Sequence, residues 1–66
     1  MQAIVTTEAL LKEMHTMLRR ASEHASLREH EEPGSREYER LSSEIHKELM
    51  LVRMAAGLAL NLEEEA

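Results

Sequence analysis

Glu32-Pro33-Gly34-Ser35, EPGS, is the stretch that decides the fold. A proline pushes the residue before it out of the α region, and Pro-Gly suits the two central positions of a type II turn, so a helix arriving here must stop. Ser35 then stands ready to cap a second helix. The segments on both sides have helical periodicity, and a turn this short makes them antiparallel neighbours. The expected fold class is therefore all-α: a two-helix hairpin resembling an antiparallel coiled coil, with a first helix over about 7–31, a turn at 32–35 and a second helix over about 36–62. Residues 1–66 make a single domain on this reading.

Working back toward the N-terminus, residues 1–5 read as a short lead, and Thr6 or Thr7 as the N-cap, with Glu8 in the first turn where the helix dipole favours negative charge. Ile4, Leu11, Leu18 and Ala25 recur every seven residues, with Thr7, Met14 and Ala21 between them, an a/d pattern that would face the second helix. Leu10 and Met17 widen this stripe on one flank. From Ser22 to Glu32 the apolar residues thin to Ala25 and Leu27, which predicts a solvated end.

Forward of the turn, Tyr38, Leu41, Ile45, Leu49, Val52, Ala56 and Ala59 form the matching stripe. Beside it runs a second one, Leu51, Ala55, Leu58 and Leu62, broadened by Met54. The run Leu49–Leu62, LMLVRMAAGLALNL, thus has more apolar surface than one helical neighbour can cover. If residue i faces roughly residue 67 − i, the flanks fall on one side of the hairpin. Leu10, Met14 and Met17 then join Leu51, Met54, Ala55, Leu58 and Leu62 in a composite partner-binding face. Glu48, at the edge of the core stripe, is expected to reach water or to meet Arg19 or Arg20.

Composition narrows the function. A chain of 66 residues buries little surface alone, and with no cysteine it has neither disulfides nor a thiolate metal site. Eight Lys+Arg against 13 Asp+Glu give a formal charge of −5, which argues against nucleic acid or an anionic membrane surface as the ligand. The longest uncharged apolar run, Met54–Leu60, is too short to span a bilayer, and MQAIVTTEALLKE has no positive n-region followed by an apolar core, so no signal peptide is expected. A cytoplasmic location is the expectation.

Chemistry-bearing motifs are sparse. His15, His24, His30 and His46 lack an i, i+4 pair on one face, and none has a glutamate three residues before it, so neither a metal nor another cofactor is expected. With no cysteine nucleophile, no Gly-x-Ser-x-Gly turn and no glycine-rich phosphate loop, the reading is of a non-enzyme without catalytic residues. Leu41-Ser42-Ser43-Glu44-Ile45-His46 resembles the phosphoacceptor helix of sensor histidine kinases. It departs from that pattern at Lys47, where an acidic residue is usual, and at Met50, where a threonine or asparagine is expected.

A wider resemblance covers nearly the whole chain. Two helices of this length, an acidic balance, the Pro-Gly turn, and then Ser35-Arg36-Glu37-Tyr38 opening a helix that reaches Val52-Arg53-Met54-Ala55-Ala56-Gly57 are similar to the small co-chaperones of type III secretion needle subunits. That resemblance implies a hairpin bound to a tetratricopeptide-like chaperone, the two keeping a needle subunit unpolymerised in the bacterial cytoplasm; no contact residue carries over from it. The alternative is a homodimer in which two hairpins bury the same face in a four-helix bundle. Both readings name another helical surface as the partner, with no role for nucleic acid or membrane.

Overall fold

A computed structural model describes residues 4–66. The protein is an all-α hairpin, α1 (Thr7–Arg28) followed by α2 (Arg36–Glu65), shaped as a rod of 47 × 19 × 19 Å. Part of the expected lead at residues 1–5 lies outside the described residues. Among the described residues, no helix is long and apolar enough to cross a membrane.

Helix α1 starts where the sequence places it. Thr6 is extended, and its hydroxyl oxygen accepts the Ala9 N–H at 3.1 Å, satisfying one of the orphan donors of the first turn. The end differs from expectation: α1 stops at Arg28 rather than near residue 31. Beyond it the His30 and Glu31 N–H groups bond back only three residues, to the Leu27 and Arg28 carbonyls. Glu29, Glu31 and Glu32 put three carboxylates at the negative end of the dipole, and Pro33 bars Glu32 from helical geometry, so the last turn tightens before the chain reverses.

The reversal is the turn the sequence announces. The Ser35 N–H donates to the Glu32 carbonyl at 3.0 Å, and Gly34 takes φ +87°, a left-handed conformation that costs a residue without Cβ nothing. Ser35 caps α2, its Oγ accepting the Tyr38 N–H at 3.2 Å. Helix α2 continues three residues past the expected end at residue 62, and there the Thr7 hydroxyl donates to Glu63 Oε2 at 2.6 Å, tying the last turn to the first turn of α1.

The seam between the helices alternates in threes and fours on both sides. Leu10, Met14, Met17, Ala21, His24 and Arg28 of α1 meet a row on α2 that runs through Tyr38, Leu41, Ile45, Glu48, Val52, Ala55, Ala59 and Leu62. Met17, Ala21, Leu41, Glu48, Ala55 and Ala59 are buried and the others half-buried. Thr7 against Glu63 at the open end and Arg28 against Ser42 near the turn place residue i opposite about residue 70 − i, three further along than expected. The early end of α1 lengthens the reversal and causes this offset.

That seam corrects the expected core. Leu11 and Leu18, expected inside, are 53% and 47% exposed, and Leu49 is 48% exposed. Each helix is turned by less than one residue step, so that Leu10 and Met17 replace Leu11 and Leu18, and Glu48 and Ala55 replace Leu49 and Ala56, while Met14, Ala21 and Leu41 stay in the seam. On α1 both sets have the same spacing of threes and fours, so periodicity cannot choose between them. The structure does: Met17 and Ala55 take the contested positions, and the buried Ala21, Ala55 and Ala59 let the backbones approach.

Candidate functional site

Seen from the side, α2 carries an apolar stripe that α1 does not reach. Leu51, Met54 and Leu58, spaced i, i+3 and i+7, are 49%, 61% and 53% exposed. Arg53, Met54, Gly57, Leu58 and Asn61 line a shallow hollow along it. The composite face expected here does not form. Its α1 half, Leu10, Met14 and Met17, is turned into the seam, together with buried Ala55 and half-buried Leu62. Rotation of α1 instead brings Glu13 and Arg20 to this side, roughly a quarter turn from the seam. What remains is the stripe of one helix.

A composite apolar face exists on the opposite side. Thr7, Leu11, Met14, Ala56, Ala59, Leu60 and Glu63 line one shallow groove between the helices. Leu18 lies one heptad after Leu11, and Leu49 one heptad before Ala56, so the same face continues toward the turn. Sequence reasoning missed it by placing Leu11, Leu18 and Leu49 in the core.

Inside the seam sits one polar pair. Glu48, 6% exposed, meets the half-buried His24 at 2.9 Å between Oε1 and Nδ1. The expected water or arginine partner is wrong because Glu48 occupies a seam position rather than its edge, facing the α1 position held by His24. With Nδ1 protonated, the imidazole donates to the carboxylate and satisfies it. No buried side-chain nitrogen or oxygen among the described residues lacks a partner. The pair supplies two metal-type donors, and among the described residues no group of three or more His, Cys, Asp or Glu converges. Chemically it favours this helix register, since a slide of one turn toward Ala21 would strand the carboxylate among apolar side chains.

Near the turn, Arg28 lies 5.4 Å from the centre of the Tyr38 ring and donates to Ser42 Oγ at 3.1 Å, closing the mouth of the hairpin with a cation-π contact and a hydrogen bond. On the exposed face of α2, Arg40 Nε donates to Glu37 Oε1 at 3.0 Å, and its Nη2 bonds the same oxygen. That hydrogen bonding holds the Glu37 carboxyl below the usual carboxylate range, and Glu37 in turn raises the Arg40 guanidinium. His15, His30 and His46 are exposed.

No family model, curated protein or solved structure matches the chain.

Proposed function

We propose that this chain is a non-enzymatic adaptor or co-chaperone that lays the outer stripe of α2 into an apolar groove of another helical protein. The observation that carries this is the exposure of Leu51, Met54 and Leu58 on one helix, on the side to which α1 turns Glu13 and Arg20. Anchors at i, i+3 and i+7 are what a groove-binding helix presents, and methionine adapts to an irregular groove. Burying what remains exposed of each leucine would contribute about 1 kcal/mol, so the three anchors give a useful fraction of a micromolar affinity. A tetratricopeptide-like chaperone offers such a groove, and the needle-subunit co-chaperones similar to this chain in length and layout supply the proposed setting, a bacterial cytoplasmic complex that holds a needle subunit unpolymerised.

Titration calorimetry with a purified tetratricopeptide-type needle chaperone tests this. The wild-type chain is expected to bind, and Leu51→Asp and Leu58→Asp to lose that binding while far-UV circular dichroism shows their helicity intact. No heat from the wild-type chain removes the secretion setting. Unchanged affinity in both variants removes the stripe.

A further inference from the structure

We infer that the opposite side of the hairpin, bearing Leu11, Leu18, Leu49 and Leu60, is the contact between two copies of this chain, which together close a four-helix bundle. This goes beyond the adaptor stripe and does not depend on it. The four leucines are 53%, 47%, 48% and 63% exposed and come from both helices, two from each, as an inward-facing bundle layer requires. The hairpin needs them covered: among the described residues only Met17, Ala21, Leu41, Ala55 and Ala59 are buried apolar residues, and three of those are alanines.

Charge chooses the occupant. At a net −5, a second copy is repelled unless the contact is clear of carboxylates, and this face is clear of them along its middle. Heptad spacing puts His15 and Ser22 on the α1 rim and Ser42, His46 and Arg53 on the α2 rim, with acids only toward the ends, Glu8 and Glu63 at the open end and Glu29 and Glu39 by the turn. Glu13 and Glu44 fall on the other side. A partner drawn by charge would meet a strongly charged rim; a nearly neutral one suits a self-complementary two-fold contact. Area agrees, because one side of a rod 47 by 19 Å presents about 900 Å2, close to the ~800 Å2 that each partner contributes to a standard stable interface.

Sedimentation equilibrium of the 66-residue chain from micromolar to tenths of millimolar concentration tests this. A dimer is expected, and a monomer throughout overturns the inference, including in favour of a different helical protein on this face. Leu18→Ala combined with Leu49→Ala keeps helix-favouring residues at half-exposed positions and should raise the dimer Kd at least tenfold, while Leu51→Ala combined with Leu58→Ala should leave it unchanged. The reverse order of effects overturns the assignment of the face. A measurement free of mutation guards against unfolding of the variants: in a mixture of isotope-labelled and unlabelled wild-type chains, intermolecular NOEs should reach the Leu18 and Leu49 methyls. Intermolecular NOEs confined to Leu51 and Leu58 place the contact elsewhere and overturn it.

Discussion

Removing the His24 imidazole should cost far more than a half-exposed histidine normally would, because of what it leaves behind. The Glu48 side chain is 9% exposed and that of His24 27% exposed, with 2.9 Å between Nδ1 and Oε1. In His24→Ala the carboxylate stays in the seam without its donor, at a cost of about 1–3 kcal/mol for an unsatisfied buried acceptor. In Glu48→Leu the carboxylate is gone, a leucine joins the apolar row between Ile45 and Val52, and His24 can turn its ring toward water. Burial of that leucine contributes about 1.5–3 kcal/mol, against about 1.5–3 kcal/mol for the lost charge-assisted hydrogen bond. Relief of carboxylate desolvation tips the balance toward stabilisation by about 1 kcal/mol. Adding His24→Ala to Glu48→Leu should then cost less than about 0.5 kcal/mol, so the two changes couple by at least about 0.5 kcal/mol. Thermal and urea unfolding followed by circular dichroism at one fixed chain concentration reads this, at roughly 4–8 °C in Tm per kcal/mol for a chain of this size. Equal costs of His24→Ala in the wild-type and Glu48→Leu backgrounds would refute the pairing, and with it the seam register.

Smaller perturbations probe other parts of the hairpin. Gly57 lies inside α2, and a Cβ built there meets no atom within 4 Å, so Gly57→Ala should raise stability by about 0.5–1 kcal/mol; a lower Tm would mean that something packs on that surface. Gly34 at φ +87° has equally open surroundings, so Gly34→Ala tests backbone strain alone and should destabilise by about 1 kcal/mol, with Ser35→Ala costing about as much through the lost cap. The Glu37 carboxyl, its pKa lowered by the Arg40 hydrogen bond, contributes stability above the ordinary carboxylate value that fades as pH falls through the depressed one. Both groups are solvent-exposed, so the effect on folding is small, and the readout is the Glu37 side-chain 13C titration. Its midpoint should lie below the usual carboxylate range and move up in Arg40→Gln; an unmoved midpoint would show that the pair does not form.

Local chemistry in the sequence was enough for the hairpin itself. Thr6, Pro33, Gly34 and Ser35 each act on backbone groups within three or four residues, so the two helix starts and the type II turn could be read without knowing what packs where. Helix ends were less legible: α1 stops early where local carboxylates and Pro33 outweigh its periodicity, and the last turn of α2 is tied by a contact far apart in sequence, Thr7 with Glu63. The rotation of the helices about their own axes was not legible at all. Leu11 and Leu18 compete with Leu10 and Met17 at identical spacing, and turning α1 by less than one residue step exchanges them with no change in periodicity. Tertiary packing made that choice, burying Met17 and Ala55 in the seam and opposing His24 to Glu48. It therefore decided which apolar side chains remain outside: Leu51, Met54 and Leu58 as expected, and on the far side the leucines that the spacing alone had assigned to the core. Volume and pairing act between helices, where a one-dimensional pattern carries no information about which of two equivalent stripes the neighbour will cover.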